Sequence, residues 1–227
     1  MTPKICVSVI GRTSEKVLRM VKSAEDEGAD LVEVRLDHLR EDVNLGRIRR
    51  SAGCPLIATN RLPSEGGLFE GVERERQRML LDAAAAGFDF VDIELDTPEL
   101  GERIRRLRET GRKVIVSSHV AERPELKKLD STFKRQRLLE PDLCKIVTKA
   151  EMAVDNLTSL QFLAQVSSDA GVVCFCMGPL GRLSRVFSPL FGGAFTYAAV
   201  AKGREAASGQ LTVSEMRELY RLLGEDS

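Results

Sequence analysis

Apolar runs and amphipathic stretches alternate along the 227 residues of the chain. Short continuous apolar runs rich in β-branched residues predict buried strands, whereas apolar residues three and four positions apart predict helices with one buried face. The predicted strands cover residues 5–10, 30–36, 55–59, 88–95, 113–118, 143–148, 172–177 and 194–199. A stretch with helical or loop character separates each strand from the next.

Capping residues and glycines mark the ends of the predicted helices. Ser14 is expected to cap the first helix, Thr97-Pro98-Glu99 to cap the fourth, and Asp155 to cap the helix after the sixth strand. The final helix follows Thr212-Val213-Ser214-Glu215, which has the spacing of a capping box. Further helices are predicted around 43–52, in 72–86 and within 122–141, and a long loop with one helical turn is predicted at 178–193.

Strand and helix units in this alternation predict a parallel sheet that is covered on both faces. A closed (β/α)8 barrel commonly takes about 250 residues and at least roughly 200, so we expect a compact TIM barrel in a single domain over residues 1–227. A doubly wound open sheet is the alternative. The chain lacks G-x-G-x-x-G after the first strand and lacks G-x-x-x-x-G-K-[ST], which weakens a nucleotide-binding version of that alternative.

A lysine stands inside the sixth predicted strand, Leu143-Cys144-Lys145-Ile146-Val147. Lysine is rarely buried without a partner, and desolvation disfavours its ammonium form. A neutral lysine amine condenses with a ketone or aldehyde to give a Schiff base. Taken alone, the pattern more often indicates a lysine that reaches the strand end or pairs with a carboxylate. Polar residues of the neighbouring strands favour the nucleophile.

These polar residues follow the carboxyl ends of the other strands, where barrels of this class have their active sites. His119 lies one strand away from Lys145, and the ordinary histidine pKa of about 6.5 suits proton transfer. Arginine binds both oxygens of a carboxylate at once. The charged residues are Glu33, Arg35, Arg61, Glu94 and Arg185. Together with Lys145 and His119 they predict an aldolase-like or dehydratase-like Schiff-base enzyme for a small anionic carbonyl compound. The alternative is that Glu33, Arg35, Arg61 and Glu94 form a buried network and neutralise one another.

A metal site is the other chemistry that this arrangement suggests. Asp92, Glu94 and Asp96 share one face of the fourth strand, and His119 follows the fifth. A second well-placed histidine is missing, and Lys145 would be an unfavourable neighbour for a cation. We therefore predict no metal. His38, next to Asp37, is interpreted as structural.

Composition excludes several other classes of protein. The 34 basic and 34 acidic residues form no basic field for nucleic acid. No apolar run approaches the roughly 20 residues that a membrane helix needs, and the first residues do not form a signal-peptide pattern. The five cysteines show neither C-x-x-C spacing nor a disulfide framework. We expect a cytoplasmic protein with reduced thiols.

Several short blocks fall at the predicted strand ends. They are Glu33-Val34-Arg35-Leu36-Asp37-His38, Arg61 with Glu65-Gly66-Gly67, Val116-Ser117-Ser118-His119, Cys144-Lys145-Ile146, Met177-Gly178 through Ser184-Arg185, and Gly209-Gln210. In this order they resemble the type I 3-dehydroquinate dehydratases, and the resemblance covers essentially the whole chain. It implies a (β/α)8 barrel that works without a cofactor, commonly as a homodimer, and converts 3-dehydroquinate to 3-dehydroshikimate and water.

The resemblance also implies roles for individual residues. Lys145 forms the imine with the substrate ketone, His119 removes a proton and later protonates the departing hydroxyl, and Glu65 orients His119. Residues implied to contact the substrate are Arg185 and Gln210 at its carboxylate, and Glu33, Arg35 and Arg61 at the ring hydroxyls or in ordering the site. Ser208 is included because many members have a serine at the position of Ala206. The loops with Arg185 and Gln210 are expected to close over the ligand.

Two other functions are consistent with the residue pattern. A class I aldolase or transaldolase type of barrel would use Lys145 in the same way and would need a phosphate site, for which Gly192-Gly193 is a weak candidate. A catalytically silent barrel would bind a metabolite or a partner protein. It need not retain Lys145, His119 and Glu65 together, so the sequence favours the dehydratase.

Overall fold

The computed structural model describes residues 2–41, 43–166 and 171–225. Eight parallel strands alternate with helices and form a nearly closed barrel, which confirms the predicted (β/α)8 fold. The strands are β1 Ile5–Val9, β2 Leu31–Arg35, β3 Leu56–Thr59, β4 Phe90–Glu94, β5 Lys113–His119, β6 Leu143–Lys149, β7 Val172–Met177 and β8 Thr196–Ala198. The helices are α1 Ser14–Asp26, α2 Leu45–Ser51, α3 Glu73–Ala85, α4 Leu100–Glu109, α5 Leu126–Arg137, α6 Asp155–Val166, α7 Arg182–Phe187 and α8 Val213–Leu222.

Backbone pairing runs from β7 through β6 and onward to β1, and β8 pairs with the other side of β1. The two outer strands meet near their amino ends, where the amide of Ala194 donates to the carbonyl of Val172 over 2.7 Å. No helix in the described ranges is long and apolar enough to cross a bilayer.

The strands bury residues on both faces, as their continuous apolar runs predict. On β6, Cys144 and Ile146 pack outward against helices, whereas Val147 belongs to an apolar cluster inside the barrel. Lys145 lies on the same inward face as Val147, since side chains alternate along a strand. Apolar residues fill the lower part of the barrel interior, and polar side chains occupy its carboxyl end.

The predicted caps of α1 and α6 differ in the structure, whereas the cap of α4 is confirmed at Glu99. Thr13, not Ser14, caps α1, and its hydroxyl accepts a hydrogen bond from the amide of Lys16. Glu99 caps α4 through its backbone alone, at a φ of 56°. The hydroxyl of Thr97 binds Arg76 instead.

Asp155 is the first residue of α6, and its carboxylate accepts from the amides of Glu151 and Met152 in the preceding turn. The long loop with one helical turn expected at 178–193 is more helical than predicted: α7 lies between the short 3-10 helices Pro179–Gly181 and Ser188–Phe191. Tertiary contacts order this segment: the amide of Ser184 donates to Asn156 on α6, and its hydroxyl accepts from the amide of Cys176 on β7.

Candidate active site

A cavity of about 150 Å³ opens at the carboxyl ends of the strands, which is the usual active-site face of this fold. The predicted site residues that line it are Glu33, Arg35, Arg61, Glu65, His119, Lys145, Arg185 and Gln210. Ser208 does not line the cavity and is exposed. Its neighbours Ala206 and Ala207 line the wall in its place.

Lys145 lies at the base of this cavity and is 3% exposed. Its Nζ donates to the hydroxyl of Tyr197 at 2.9 Å, to Oδ2 of Asp92 at 3.1 Å and to Oε2 of Glu33 at 3.3 Å. An ammonium group has three N–H donors, so these contacts use all of them. The lysine is therefore paired with carboxylates and also faces the cavity, which combines the two interpretations of the sequence.

Glu33 on β2 is buried among hydroxyl groups. Its Oε1 accepts from Ser8 at 2.8 Å, and its Oε2 accepts from Thr59 at 3.1 Å and from Tyr197 at 2.9 Å. Burial by itself would raise the pKa of Glu33, but the positive charges of Lys145 and Arg35 outweigh it and leave the pKa below its usual value. Glu33 is thus an ionised carboxylate, and its nearest cation is Lys145.

Arg61 is buried beside the same cavity and organises a second group of charges. Its guanidinium donates to Oδ1 of Asp92 and to the hydroxyl of Ser117, both at 2.7 Å, and lies 3.4 Å from Oε1 of Glu94. Burial would raise the pKa of Asp92, but Arg61 and Lys145 hold it well below its usual range. Asp92 is therefore ionised and serves as the carboxylate between the two cations.

The neutralising network that the sequence suggested is present only in part. Arg61 does contact Glu94, but Glu94 also pairs with the fully buried Arg76 of α3. Arg35 forms a bidentate pair with Asp37, at 2.8 and 2.7 Å. The acidic and basic residues that close the network, Asp37, Arg76 and Asp92, were not assigned to the site from the sequence.

His119 is the last residue of β5 and touches Glu65 from the loop after β3. Oε2 of Glu65 accepts from the backbone amide of His119 at 3.0 Å and lies 3.1 Å from Nδ1 of its ring. Burial and the charges of Arg61 and Lys145 hold the pKa of His119 well below 6.5, so the ring is neutral at neutral pH. Burial raises the pKa of Glu65 to about 7. An ionised Glu65 accepts the Nδ1 proton and leaves Nε2 free to act as a base.

Arg185 is carried by α7 and is 2% exposed. Its guanidinium lies 4.3 Å from the centre of the Phe175 ring, and its Nε has no hydrogen-bond partner among the described residues. No carboxylate of the described residues lies within ion-pair distance of the Arg185 guanidinium. Burial without a counter-charge lowers the pKa of Arg185 to about 10. A buried cation that faces a cavity unpaired is suited to an anionic ligand.

The lid that was expected to carry Arg185 and Gln210 differs in part. Arg185 lies on a packed helix, not on a loop. Gln210 lies on the loop before α8, where its side-chain oxygen accepts from the amide of Ala206 at 2.8 Å.

Gly192 and Gly193, the candidate phosphate site, form a tight turn whose amides donate to the carbonyls of Pro189 and Ser188. These amides are therefore not available to a phosphate group.

Two side chains in contact with Lys145 were missed as site residues. Asp92 could have been found from the sequence, because it shares a strand face with Glu94, but it was considered there only as a metal ligand. Tyr197 lies in the short apolar strand β8 and resembles a core residue. Only its hydroxyl, directed at Lys145, distinguishes it from a core aromatic residue.

A protein-family model and curated proteins are similar to this chain. The family model described as type I 3-dehydroquinase matches residues 5–227. A 3-dehydroquinate dehydratase of Dehalococcoides mccartyi is 41% identical over 201 residues, which is 87% of each chain. One from Methanothermobacter thermautotrophicus is 38% identical over 230 residues and covers 100% of both chains.

Solved structures agree with these relatives. The crystal structure of 3-dehydroquinate dehydratase from Geobacillus kaustophilus has a TM-score of 0.90 at 26% identity and covers 99% of this chain and 92% of its own. A type I 3-dehydroquinate dehydratase from Clostridium difficile, solved with covalently modified comenic acid, has a TM-score of 0.89 at 25% identity. It covers 98% of this chain and 92% of its own.

Proposed function

The chain belongs to the type I 3-dehydroquinase family, and we propose that its dehydration of 3-dehydroquinate, a step of the shikimate pathway, proceeds through a Schiff base on Lys145. The reaction is that of a hydro-lyase and yields 3-dehydroshikimate and water. The observation that carries the proposal is the position of the Lys145 Nζ at the base of the cavity, with His119 and Arg185 facing the same space. An amine, a base and an unpaired cation are what an imine-forming enzyme for a carboxylate substrate requires.

The proposed steps use groups that line the same cavity. Nζ of Lys145 attacks the C3 ketone, and loss of water gives a protonated imine that withdraws electrons from C2. Neutral His119 removes the C2 proton through Nε2, and the resulting enamine expels the C1 hydroxyl. His119 returns its proton to that hydroxyl, which leaves as water. Hydrolysis of the imine then frees the product and restores Lys145.

The remaining side chains bind and orient the substrate in this scheme. The unpaired guanidinium of Arg185 holds the carboxylate, and Gln210 lines the same cavity. Arg35 and Arg61 are fixed by Asp37 and Asp92, so they present their remaining N–H groups to the ring hydroxyls without reorganisation. Ser208 is exposed on the same loop as Gln210, and its proposed substrate contact requires that loop to move.

Borohydride trapping tests the Schiff base. The protein is mixed with 3-dehydroquinate, reduced and mapped by peptide mass spectrometry, and we expect a stable adduct on the peptide that contains Lys145. Turnover without any adduct would contradict the covalent route while leaving the reaction assigned. An adduct on another lysine would contradict the choice of nucleophile.

The pH profile should report the Glu65–His119 pair. Glu65 has a pKa of about 7, so its carboxylate form, which accepts the Nδ1 proton of His119, is lost as the pH falls through that value. We expect kcat/KM to decline below pH about 7, about tenfold per pH unit.

In Glu65→Gln the acid limb should move to lower pH, where His119 itself becomes protonated, and the plateau should fall. Glu70→Gln, an exposed carboxylate of the same loop, is the matched control. An unmoved limb in Glu65→Gln would contradict this assignment.

Replacing Arg185 by alanine should weaken substrate binding. The guanidinium is buried and unpaired, so its charge-assisted hydrogen bonds to a carboxylate are worth about 3 kcal/mol, or roughly a hundredfold in affinity. We expect KM to rise by about that factor with a smaller change in kcat, as steady-state kinetics will show. Arg182→Ala removes an exposed arginine from the same helix and serves as the control. Equal KM values for the two variants would assign the carboxylate contact to another residue.

We also propose a homodimer. Large apolar side chains are exposed on adjoining turns at the start of α6 and before and within α7: Met152, Val154, Leu157, Leu180 and Leu183. The Asn156 side chain joins these turns by donating to the carbonyl of Leu180 at 2.7 Å. A patch of this kind supports association with a second copy of the chain. A monomer in sedimentation velocity at micromolar concentrations would contradict the proposal.

A cytoplasmic location is proposed on the state of the cysteines. All five, Cys6, Cys54, Cys144, Cys174 and Cys176, are free thiols, and most are buried. Reduced, buried cysteines are typical of proteins in a reducing compartment. Fractionation of cells followed by immunoblotting tests the location, and recovery outside the cytoplasm would contradict it.

A further inference from the structure

The proposed chemistry requires Lys145 to lose a proton, and the steps above assign no residue to accept it. Its three N–H groups are directed at Tyr197, Asp92 and Glu33, and a nitrogen with three bound hydrogens has no lone pair for attack. A proton must therefore leave Nζ before the imine can form. The three groups that Nζ touches are the direct candidates for the acceptor, because direct proton transfer requires hydrogen-bond distance.

Asp92 is a poor acceptor for that proton. Its Oδ1 already receives hydrogen bonds from Arg61 at 2.7 Å and from Ser117 at 2.6 Å. A permanent guanidinium charge at that distance stabilises the carboxylate and weakens it as a base. Lys145 loses its own positive charge on deprotonation, but the charge of Arg61 remains. Asp92 thus stays ionised through the step.

Glu33 is the better acceptor because its other hydrogen bonds come from neutral groups. Ser8, Thr59 and Tyr197 are hydroxyl donors, and in the described chain the only cation within 4 Å of the Glu33 carboxylate is Lys145 itself. Once the proton has left the lysine, Arg35 still opposes protonation of Glu33, but it forms no ion pair with that carboxylate among the described residues. The ion pair then becomes a neutral pair, which a buried site favours.

Tyr197 connects Lys145 to Glu33 through two hydrogen bonds that are each shorter than the direct contact. Its oxygen accepts from Nζ of Lys145 at 2.9 Å, and its hydrogen is donated to Oε2 of Glu33, also at 2.9 Å. The direct separation of Nζ and Oε2 is longer, at 3.3 Å, and Oε2 already accepts from Thr59 and Tyr197. The tyrosine hydroxyl is thus hydrogen-bonded in the direction that a transfer to Glu33 requires.

We propose that Tyr197 is a catalytic residue of imine formation, whose hydroxyl takes a proton from Lys145 while it passes its own proton to Glu33. The inference rests on the proposed Schiff-base function. One N–H bond of Lys145 and the O–H bond of Tyr197 break, a new O–H bond forms on each of Tyr197 and Glu33, and the tyrosine is chemically unchanged. Rotation about the last side-chain bond of Lys145 then turns the free lone pair into the cavity. The reverse transfer restores the ammonium after product release.

The surroundings of Tyr197 suit a relay and not a permanent base. The ring is 4% exposed and packs edge-on against Phe175 and Phe195, with ring centres 6.0 and 5.5 Å away. This packing fixes the direction of the hydroxyl. Burial and the charge of Glu33 raise the pKa of Tyr197 well above its usual value, so the hydroxyl keeps a proton at all times except during transfer.

Tyr197→Phe removes the hydroxyl and keeps the ring, so it isolates the relay. We expect imine formation in a rapid-quench borohydride experiment with 3-dehydroquinate to slow about a hundredfold. The solvent deuterium isotope effect on this step should change from a curved dependence on deuterium fraction, which indicates two protons in transfer, to a linear one. Tyr220→Phe is the matched control, because the other tyrosine of the chain is also buried and donates only to the carbonyl of Val186. It should form the imine at the wild-type rate.

Glu33→Gln provides a second variant that retains the tyrosine and removes the proton acceptor. If both residues act in one transfer, the double variant should be no slower than the slower single variant. Additive slowing would overturn the relay.

Each further outcome decides the inference. An imine that forms at the same rate in wild type and Tyr197→Phe would overturn the relay and leave the Schiff base standing. A slower imine with an unchanged isotope effect would mean that Tyr197 only positions Lys145, and would overturn the transfer. The absence of any imine in the wild type would overturn the Schiff base and the relay together.

Discussion

Lys145→Ala is expected to abolish turnover, with a fall in kcat of at least about 10⁴-fold, because no other described residue that lines the cavity has an amine that can form an imine. Borohydride should then give no adduct with 3-dehydroquinate. A coupled absorbance assay for the enone product measures the residual rate. Activity within tenfold of wild type would exclude a covalent mechanism through this residue.

The same substitution should also lower stability, which the sequence alone did not indicate. Glu33 and Asp92 both lie within hydrogen-bond distance of Nζ, and without the ammonium they become two buried carboxylates with one cation fewer. Breaking a buried pair in this way costs roughly 3–5 kcal/mol. We expect a lower melting temperature for Lys145→Ala, with partial recovery as the pH falls and Glu33 takes up a proton.

Lys145→Arg separates the two effects. Arginine keeps a cation between the carboxylates but offers no amine that forms an imine. This variant should be as inactive as Lys145→Ala and less destabilised. Equal destabilisation of both variants, measured by thermal unfolding, would show that packing of the lysine, and not its charge, stabilises the barrel.

His119→Ala is expected to slow turnover by about 10²–10⁴-fold, since the ring is the only histidine among the described residues that lines the cavity, and it is neutral and partly buried. Imine formation uses Lys145, so the intermediate should accumulate in this variant. Mass spectrometry of protein reduced during steady-state turnover should therefore find a larger adduct fraction than in wild type. Wild-type turnover in His119→Ala would remove the residue from the mechanism.

The other histidine of the chain gives the control. His38 lies 3.6 Å from Asp37 and outside the cavity, so His38→Asn should turn over near the wild-type rate and accumulate no imine. Added imidazole should partly restore His119→Ala, because the deleted side chain leaves room for a soluble base. If added imidazole restores neither the turnover rate nor the decay of the imine, His119 acts only through its contact with Glu65.

Strand pattern carried most of the fold prediction. The apolar run at β7 has the bounds that the sequence predicts, and the inward position of Glu33, Arg35 and Lys145 follows from alternation along each strand. The segment 178–193 was predicted as a long loop with one helical turn. Its helix α7 is held by Asn156, 28 positions earlier, whose side chain accepts from the Ser184 amide, and by the Ser184 hydroxyl, which accepts from the amide of Cys176.

The site was predicted less completely, for a related reason. Periodicity assigns a residue to a face of its strand but contains no information about which residue lies opposite across the barrel. Lys145 meets Glu33 across 112 positions of sequence, and Tyr197 meets Glu33 across 164. Such contacts depend on strand register and on closure of the barrel. An apolar strand that contains one tyrosine therefore gives no sign that its hydroxyl touches the lysine.

The sequence by itself determined the order of strands and helices, the parallel barrel and the residue types at the carboxyl ends of the strands. Local propensity and side-chain alternation act over a few residues, so they can be deduced from the chain directly. Tertiary structure alone decided which charges pair, that Arg185 remains unpaired, and that Glu65 reaches His119. These distances follow from closing eight strands into one ring, where small changes of register exchange one partner for another.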